Sequence, residues 1–122
     1  MLHTGIDIVD IFHFSQNLKS KAFIHKVFTE AEIRACEKAE NTTQCYANKF
    51  AIKEAFMKAL GAGIRQEVWF TQIEILGNKK FTLSTSGRAQ EILLSMGETQ
   101  INISLAKEKT LVIASVLIIS NS

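Results

Sequence analysis

Glu54 and Lys58 stand four residues apart in the run FAIKEAFMKAL at residues 50–60, which is closed by Gly61, Ala62 and Gly63. Four residues is about one helical turn, so a helix projects both side chains from one side. A carboxylate is a ligand for a hard divalent cation, and a lysine is a point charge for phosphate. Glycines let a backbone approach phosphate oxygens closely. A second carboxylate, Asp7, lies far off in sequence, inside GIDIVDI at residues 5–11. Together these residue types suit a metal-bound phosphate compound. A plainer reading stands beside that one. Glu54 and Lys58 also fit a surface ion pair worth about 0.3–0.5 kcal/mol. Gly61 and Gly63 also fit a helix C-cap and turn. A helix C-terminus carries partial negative charge, so phosphate there needs the lysines and a metal. The P-loop pattern is absent.

These groups need a helix and a strand to hold them. On a helix over residues 45–60, Ile52, Ala55, Phe56, Ala59 and Leu60 cluster on one side and face a core. Lys53 lies on the flank. Residues 5–11 are rich in β-branched side chains and read as a strand. Alternation puts Gly5, Asp7, Val9 and Ile11 on one face, so Asp7 has apolar neighbours. A buried carboxylate needs a partner or a metal. A salt bridge to lysine, an N-cap role and a metal site all remain open for it.

The remaining elements follow from caps and turns. Residues 12–27 read as a basic amphipathic helix. Thr29 and Glu32 form a capping box, with Phe28 and Ile33 as its hydrophobic staple, opening a helix to about residue 38. Residues 39–44 read as a loop. Residues 69–76 and 81–84 read as paired strands around Gly77-Asn78-Lys79-Lys80. A short helix over residues 86–96 ends at Gly97. Residues 100–106 and 111–120 form a second hairpin around Lys107-Glu108-Lys109. The class is α+β: a long central helix on a small antiparallel sheet.

Length and composition bound the rest. A chain of 122 residues fits a single domain, 1–122, and can bury a core without staples. The apolar run at 111–119 is too short to span a bilayer as a helix. No signal-peptide pattern opens the chain, which points to the cytoplasm. Cys36 and Cys45 do not match a zinc pattern; a disulfide between them is open but disfavoured in a reducing compartment, and ordinary buried or half-buried thiols are expected. A net charge of +2 excludes a general nucleic-acid binder. Residues 11–29 nevertheless hold no acid while holding His13, Lys19, Lys21, His25 and Lys26. That window reads as a solvated helix face or as a docking face for an acidic partner.

GIDIVDI at 5–11, VFTEAEI at 27–33 and KFAIKEAFMKALGAGI at 49–64 resemble, in order and spacing, the holo-[acyl-carrier-protein] synthase family. These are the short bacterial 4′-phosphopantetheinyl transferases. Residues 101–119 resemble the family's last hairpin. The resemblance implies transfer of phosphopantetheine from coenzyme A to a serine of apo acyl carrier protein, releasing adenosine 3′,5′-bisphosphate, in support of fatty acid biosynthesis. It implies Asp7 and Glu54 as magnesium ligands, and Glu54 and Lys58 as the catalytic residues. It implies Lys49, Lys53, Lys58, Gly61 and Gly63 along the coenzyme A phosphates. It implies a homotrimer with sites between subunits, and His13, Lys19, Lys21 and Lys26 as docking residues for the acidic carrier protein. No nucleic acid or membrane is implied.

Three positions depart from the family's pattern. His13 stands where an arginine is usual, and Lys49 replaces the arginine before Phe50. Leu105-Ala106 stands where many members carry Ser-His. These departures support an alternative, a non-catalytic module binding coenzyme A or a carrier protein. A broad-range transferase for modular synthases is disfavoured, since those relatives are generally about twice as long.

Overall fold

The protein is described from a computed structural model that covers residues 1–121. Strand β1 (Leu2–Asp10) pairs antiparallel with β5 (Leu111–Ser120), which pairs antiparallel with β4 (Thr99–Glu108). Each of the three strands alternates, so the sheet has two distinct faces. The inner face carries Gly5 and Val9 of β1 and Val112, Ala114, Val116 and Ile118 of β5, all buried. Helix α4 (Thr42–Leu60) lies across that face, along β1 and β5. The outer face leaves Leu2, Ile6 and Ile8 more than half exposed.

Helix α4 begins where Asn41 caps it, accepting from Gln44 N at 3.0 Å. It ends at Gly61, whose φ of 74° suits glycine and terminates the helix. Between those caps it is buried on nearly every side: Ala47, Ala51, Ile52, Ala55 and Phe56 have no exposed surface. The strand β1 reaches it closely through Gly5. A Cβ on Gly5 would lie 1.9 Å from Ala55 O and 2.7 Å from Ala59 N. Only a residue without a side chain permits that approach.

The expected helix over residues 12–27 is instead three pieces. Asp10 caps α1 (Ile11–Ser15) through His13 N, a 3-10 turn follows at Asn17–Lys19, and Ser20 caps α2 (Lys21–Val27) through Phe23 N. Aspartate and serine compete for backbone hydrogen bonds in just this way. The break lets Phe14 and Val27 both turn inward. His13, Lys19, Lys21 and Lys26 remain exposed.

Helix α3 (Glu30–Glu37) opens with the expected capping box between Thr29 and Glu32. Cys36 and Cys45 are joined as a disulfide, which corrects the expectation of free thiols. The tight α3–α4 connection holds their Cα atoms 5.3 Å apart, inside bridging range. The small sheet β2 (Ile73–Leu76) and β3 (Thr82–Thr85) and helix α5 (Gly87–Ser95) complete the fold. Trp69 falls outside β2, because a 3-10 turn at Phe70–Gln72 precedes the strand. Among the described residues no helix is long and apolar enough to cross a membrane.

Gly5→Ala is expected to destabilise the fold by about 1–3 kcal/mol or more, because backbone rather than a flexible side chain must yield. Chemical unfolding of the variant checks this; an unchanged midpoint would contradict the close contact.

Candidate active site

Two residues beyond Gly5 on the same strand face comes Asp7, and its level on α4 is that of Glu54 and Lys58. Lys58 Nζ donates to Asp7 Oδ1 at 3.0 Å and to Ile6 O at 2.9 Å. The ion pair that forms is therefore with Asp7 across the fold, rather than with Glu54 one turn away. Asp7 is 16% exposed and Lys58 54%, so solvent screens this contact and it contributes little stability.

Glu54 is half-buried, and its proton affinity is pushed up. Burial is the main cause and the nearby Asp7 carboxylate adds to it, while the Lys58 ammonium opposes both. Two carboxylates thus feel each other across a gap that one exposed lysine only partly compensates. This donor set fits magnesium, which binds through one or two carboxylates and takes phosphate oxygens and waters for the rest. Among the described residues no larger group of potential ligands gathers anywhere.

Two clefts meet at Glu54. One, of about 440 Å³, runs along Glu54, Met57, Lys58 and the loop from Gly61 to Gln66, with Phe70 also on its wall. The other, of about 270 Å³, lies between Asp7, His13, Phe14, Asn17 and Phe50, and again reaches Glu54. Phe50 stacks on Phe70 with ring centres 5.7 Å apart and lies 5.1 Å from Phe14. Phe70 lines the larger cleft and Phe14 and Phe50 the smaller, so this aromatic row runs from one to the other.

The glycines of the loop behave differently from each other. Gly61 is required by its backbone angle, and its amide is committed to Met57 O and Lys58 O. Gly63 is extended, with φ of −143°, and a Cβ there would meet nothing within 4 Å. Its amide donates to Gln66 Oε1 at 2.7 Å. Neither amide is therefore waiting for phosphate, and what Gly63 offers the cleft is space. Arg65 and Gln66 line the same wall. Sequence reasoning passed over both, although Arg65 is the cation nearest in sequence to Gly63.

Lys49 and Lys53 do not line the cleft, which corrects the expectation that they reach coenzyme phosphates. Both are buried, at 1% and 0% exposure. Lys49 Nζ donates to Ile75 O at 2.7 Å. Lys53 Nζ donates to Glu32 Oε1, Val27 O and Phe70 O. Burial pulls both ammonium groups below their usual range, and the Glu32 carboxylate opposes that shift. Their helix positions point into the core rather than toward Asp7.

The family model of the 4′-phosphopantetheinyl transferase superfamily matches residues 3–114. The chain belongs to this superfamily. It is 39% identical to a holo-[acyl-carrier-protein] synthase of Magnetococcus marinus, over 93% of this chain and 89% of that one. It is 33% identical to the synthase of Geotalea daltonii, over 94% and 95%. Among solved structures it superposes on the Chronobacterium ammoniagenes ACPS-CoA complex with a TM-score of 0.84 at 25% identity, covering 100% of this chain and 99% of that one. The Bacillus anthracis synthase in complex with CoA (3′,5′-ADP) gives 0.78 at 29%, covering 98% and 96%. These 4′-phosphopantetheinyl transferases share the α+β layout described above.

The strained Glu54 has a thermodynamic signature. The folded state raises its proton affinity above the ordinary value of 4.5, so the ionised carboxylate costs stability once pH exceeds its folded pKa. In chelator-treated protein, Glu54→Gln should therefore unfold at a higher temperature than the parent at neutral pH. That gap should close as pH falls below the unfolded carboxyl pKa, where both states are protonated. Thermal melts across the acid range check this; a lower midpoint for the variant at neutral pH would contradict it.

Proposed function

We propose that this protein transfers the 4′-phosphopantetheine group of coenzyme A to a serine of apo acyl carrier protein. The observation that carries the reading is the meeting of two clefts at Glu54, with Asp7 and Lys58 beside it. The larger cleft suits the coenzyme, with Lys58 and Arg65 as its cations and Gly63 leaving room along its wall. The smaller cleft opens beside His13 and suits the incoming serine.

In this reaction the serine hydroxyl oxygen attacks the phosphorus that carries pantetheine. The bond from that phosphorus to the bridging oxygen breaks, and adenosine 3′,5′-bisphosphate leaves. Asp7 and Glu54 would hold magnesium, whose charge, when bound, neutralises the diphosphate and assists the leaving group. Lys58 stabilises negative charge on the phosphoryl oxygens as the new bond forms. No nucleophile is needed from this chain, because the partner supplies it.

The exposed cations Lys19, Lys21 and Lys26, with His13, form the face for an acidic carrier protein. Support for a merely binding role weakens at Lys49, since that departure lies in the core and touches Ile75 O rather than the cleft. We further propose a homotrimer closed through the outer sheet face, where Leu2, Ile6 and Ile8 would otherwise stay in water. The cytoplasm, where the carrier protein and coenzyme meet, is the proposed location.

Intact-mass measurement tests the reaction. Apo acyl carrier protein incubated with this protein, coenzyme A and magnesium should gain one phosphopantetheine, and a chelator should stop the gain. Binding without a covalent product would contradict the reading. Gly63→Ala gives a second check. It should leave the unfolding midpoint within about 0.5 kcal/mol yet raise KM for coenzyme A, since the added methyl enters the cleft. Unchanged KM would remove Gly63 from the site.

A further inference from the structure

Lys53 precedes Glu54 in α4 and has no exposed surface. An ammonium has three hydrogens. Here each finds an acceptor on a different element: Glu32 Oε1 of α3 at 2.6 Å, Val27 O at the end of α2 at 2.7 Å, and Phe70 O at 3.0 Å. Glu32 is as fully used. Its Oε1 also accepts from Thr29 N at 2.8 Å, and its Oε2 accepts from Ile75 N at 2.7 Å. The Phe28 ring lies 5.3 Å from the same ammonium.

A buried ion pair is weak evidence for stability, because an apolar pair of the same shape often serves as well. The elements that this pair joins suggest a different use. Phe70 lines the larger cleft. Val27 ends α2, whose exposed Lys21 and Lys26 belong to the proposed docking face. Both elements are tied to the one residue that directly precedes Glu54. The Val27 carbonyl is held in the buried interior, where such contacts are strongest, and the Phe70 carbonyl at its part-buried edge.

We infer that Lys53, paired with Glu32, is a positioning residue that fixes the Phe70 wall and the end of α2 relative to Glu54. Coenzyme and carrier protein are thereby held at matched distances from one reacting centre. The inference rests on the proposed transfer reaction, in which two substrates must meet at Glu54. Displacing either wall weakens the hold on the substrate it carries, so the loss falls on binding rather than on the bond-making step.

The test uses two variants of the full chain and measures kcat and KM with each substrate varied in turn. The double variant Lys53→Met with Glu32→Gln removes both charges, so neither is left buried alone. Lys53→Arg keeps the charge but replaces the compact ammonium with a planar fork. In both, KM for coenzyme A and KM for carrier protein should each rise about 10-fold, with kcat lowered by no more than about 3-fold, the pattern of lost ground-state binding. A purely structural role would lower the active fraction, and hence kcat, while leaving both KM values unchanged. Unchanged KM for either substrate, or failure of both variants to fold, would overturn the inference. Absence of transfer by the parent protein would instead overturn the reaction itself.

Discussion

Strand β1 rests on helix α4 with no side chain between them at Gly5, and the site depends on that contact. Ala55 O and Ala59 N stand where a Cβ would otherwise go. The helix contributes small residues, Ala51, Ala55 and Ala59, along the same stretch. A strand advances about 3.3 Å per residue with alternate side chains on one face. Asp7 is thus delivered two residues beyond Gly5 on the helix-facing side, where Lys58 pairs with it and Glu54 feels its charge. Moving the strand outward by the width of a methyl group would separate these groups and relax the electrostatic tension between them.

That tension gives the site its chemistry. Burial disfavours the ionised Glu54 most, and the neighbouring Asp7 carboxylate adds to that cost. Lys58 offsets part of it from the solvent side. In the proposed reaction a divalent cation held by Asp7 and Glu54 would offset the imbalance that Lys58 leaves, and Lys58 would then be free for the substrate. The same helix carries the architecture. One residue before Glu54, Lys53 turns into the core and links three other elements, and Lys49 one turn earlier reaches Ile75 O. Charged residues adjacent in sequence therefore serve opposite environments.

Much of this was legible beforehand. The α+β class, the Thr29–Glu32 capping box, the Gly61 stop and the final strand all follow from local patterns that the structure repeats. The inward face of Asp7 followed from simple alternation. What local patterns could not reveal was which way the lysines of α4 turn. The family resemblance placed Lys49 and Lys53 on the coenzyme phosphates, and only the three-dimensional placement of Glu32, Val27, Phe70 and Ile75 supplies them with partners in the core. The break at Ser20 was hidden because a serine inside an amphipathic pattern fits a helix interior as well as a cap. The Cys36–Cys45 bond was hidden because composition speaks to compartment, while pairing depends on how tightly α3 turns into α4. Arg65 and Phe70 lie beyond the helix, and their place on the cleft wall follows from the path of the loop.

The central claim is that Asp7 and Glu54, remote in sequence, act as one site. A double-mutant cycle on the transfer rate tests it most directly. Asp7→Asn, Glu54→Gln and the combined variant would be compared with the parent at saturating magnesium, coenzyme A and carrier protein. Groups acting as a unit are strongly non-additive. The combined variant should therefore transfer no more slowly than the worse of the two single variants. Losses that multiply, as they do for independent positions, would contradict the account.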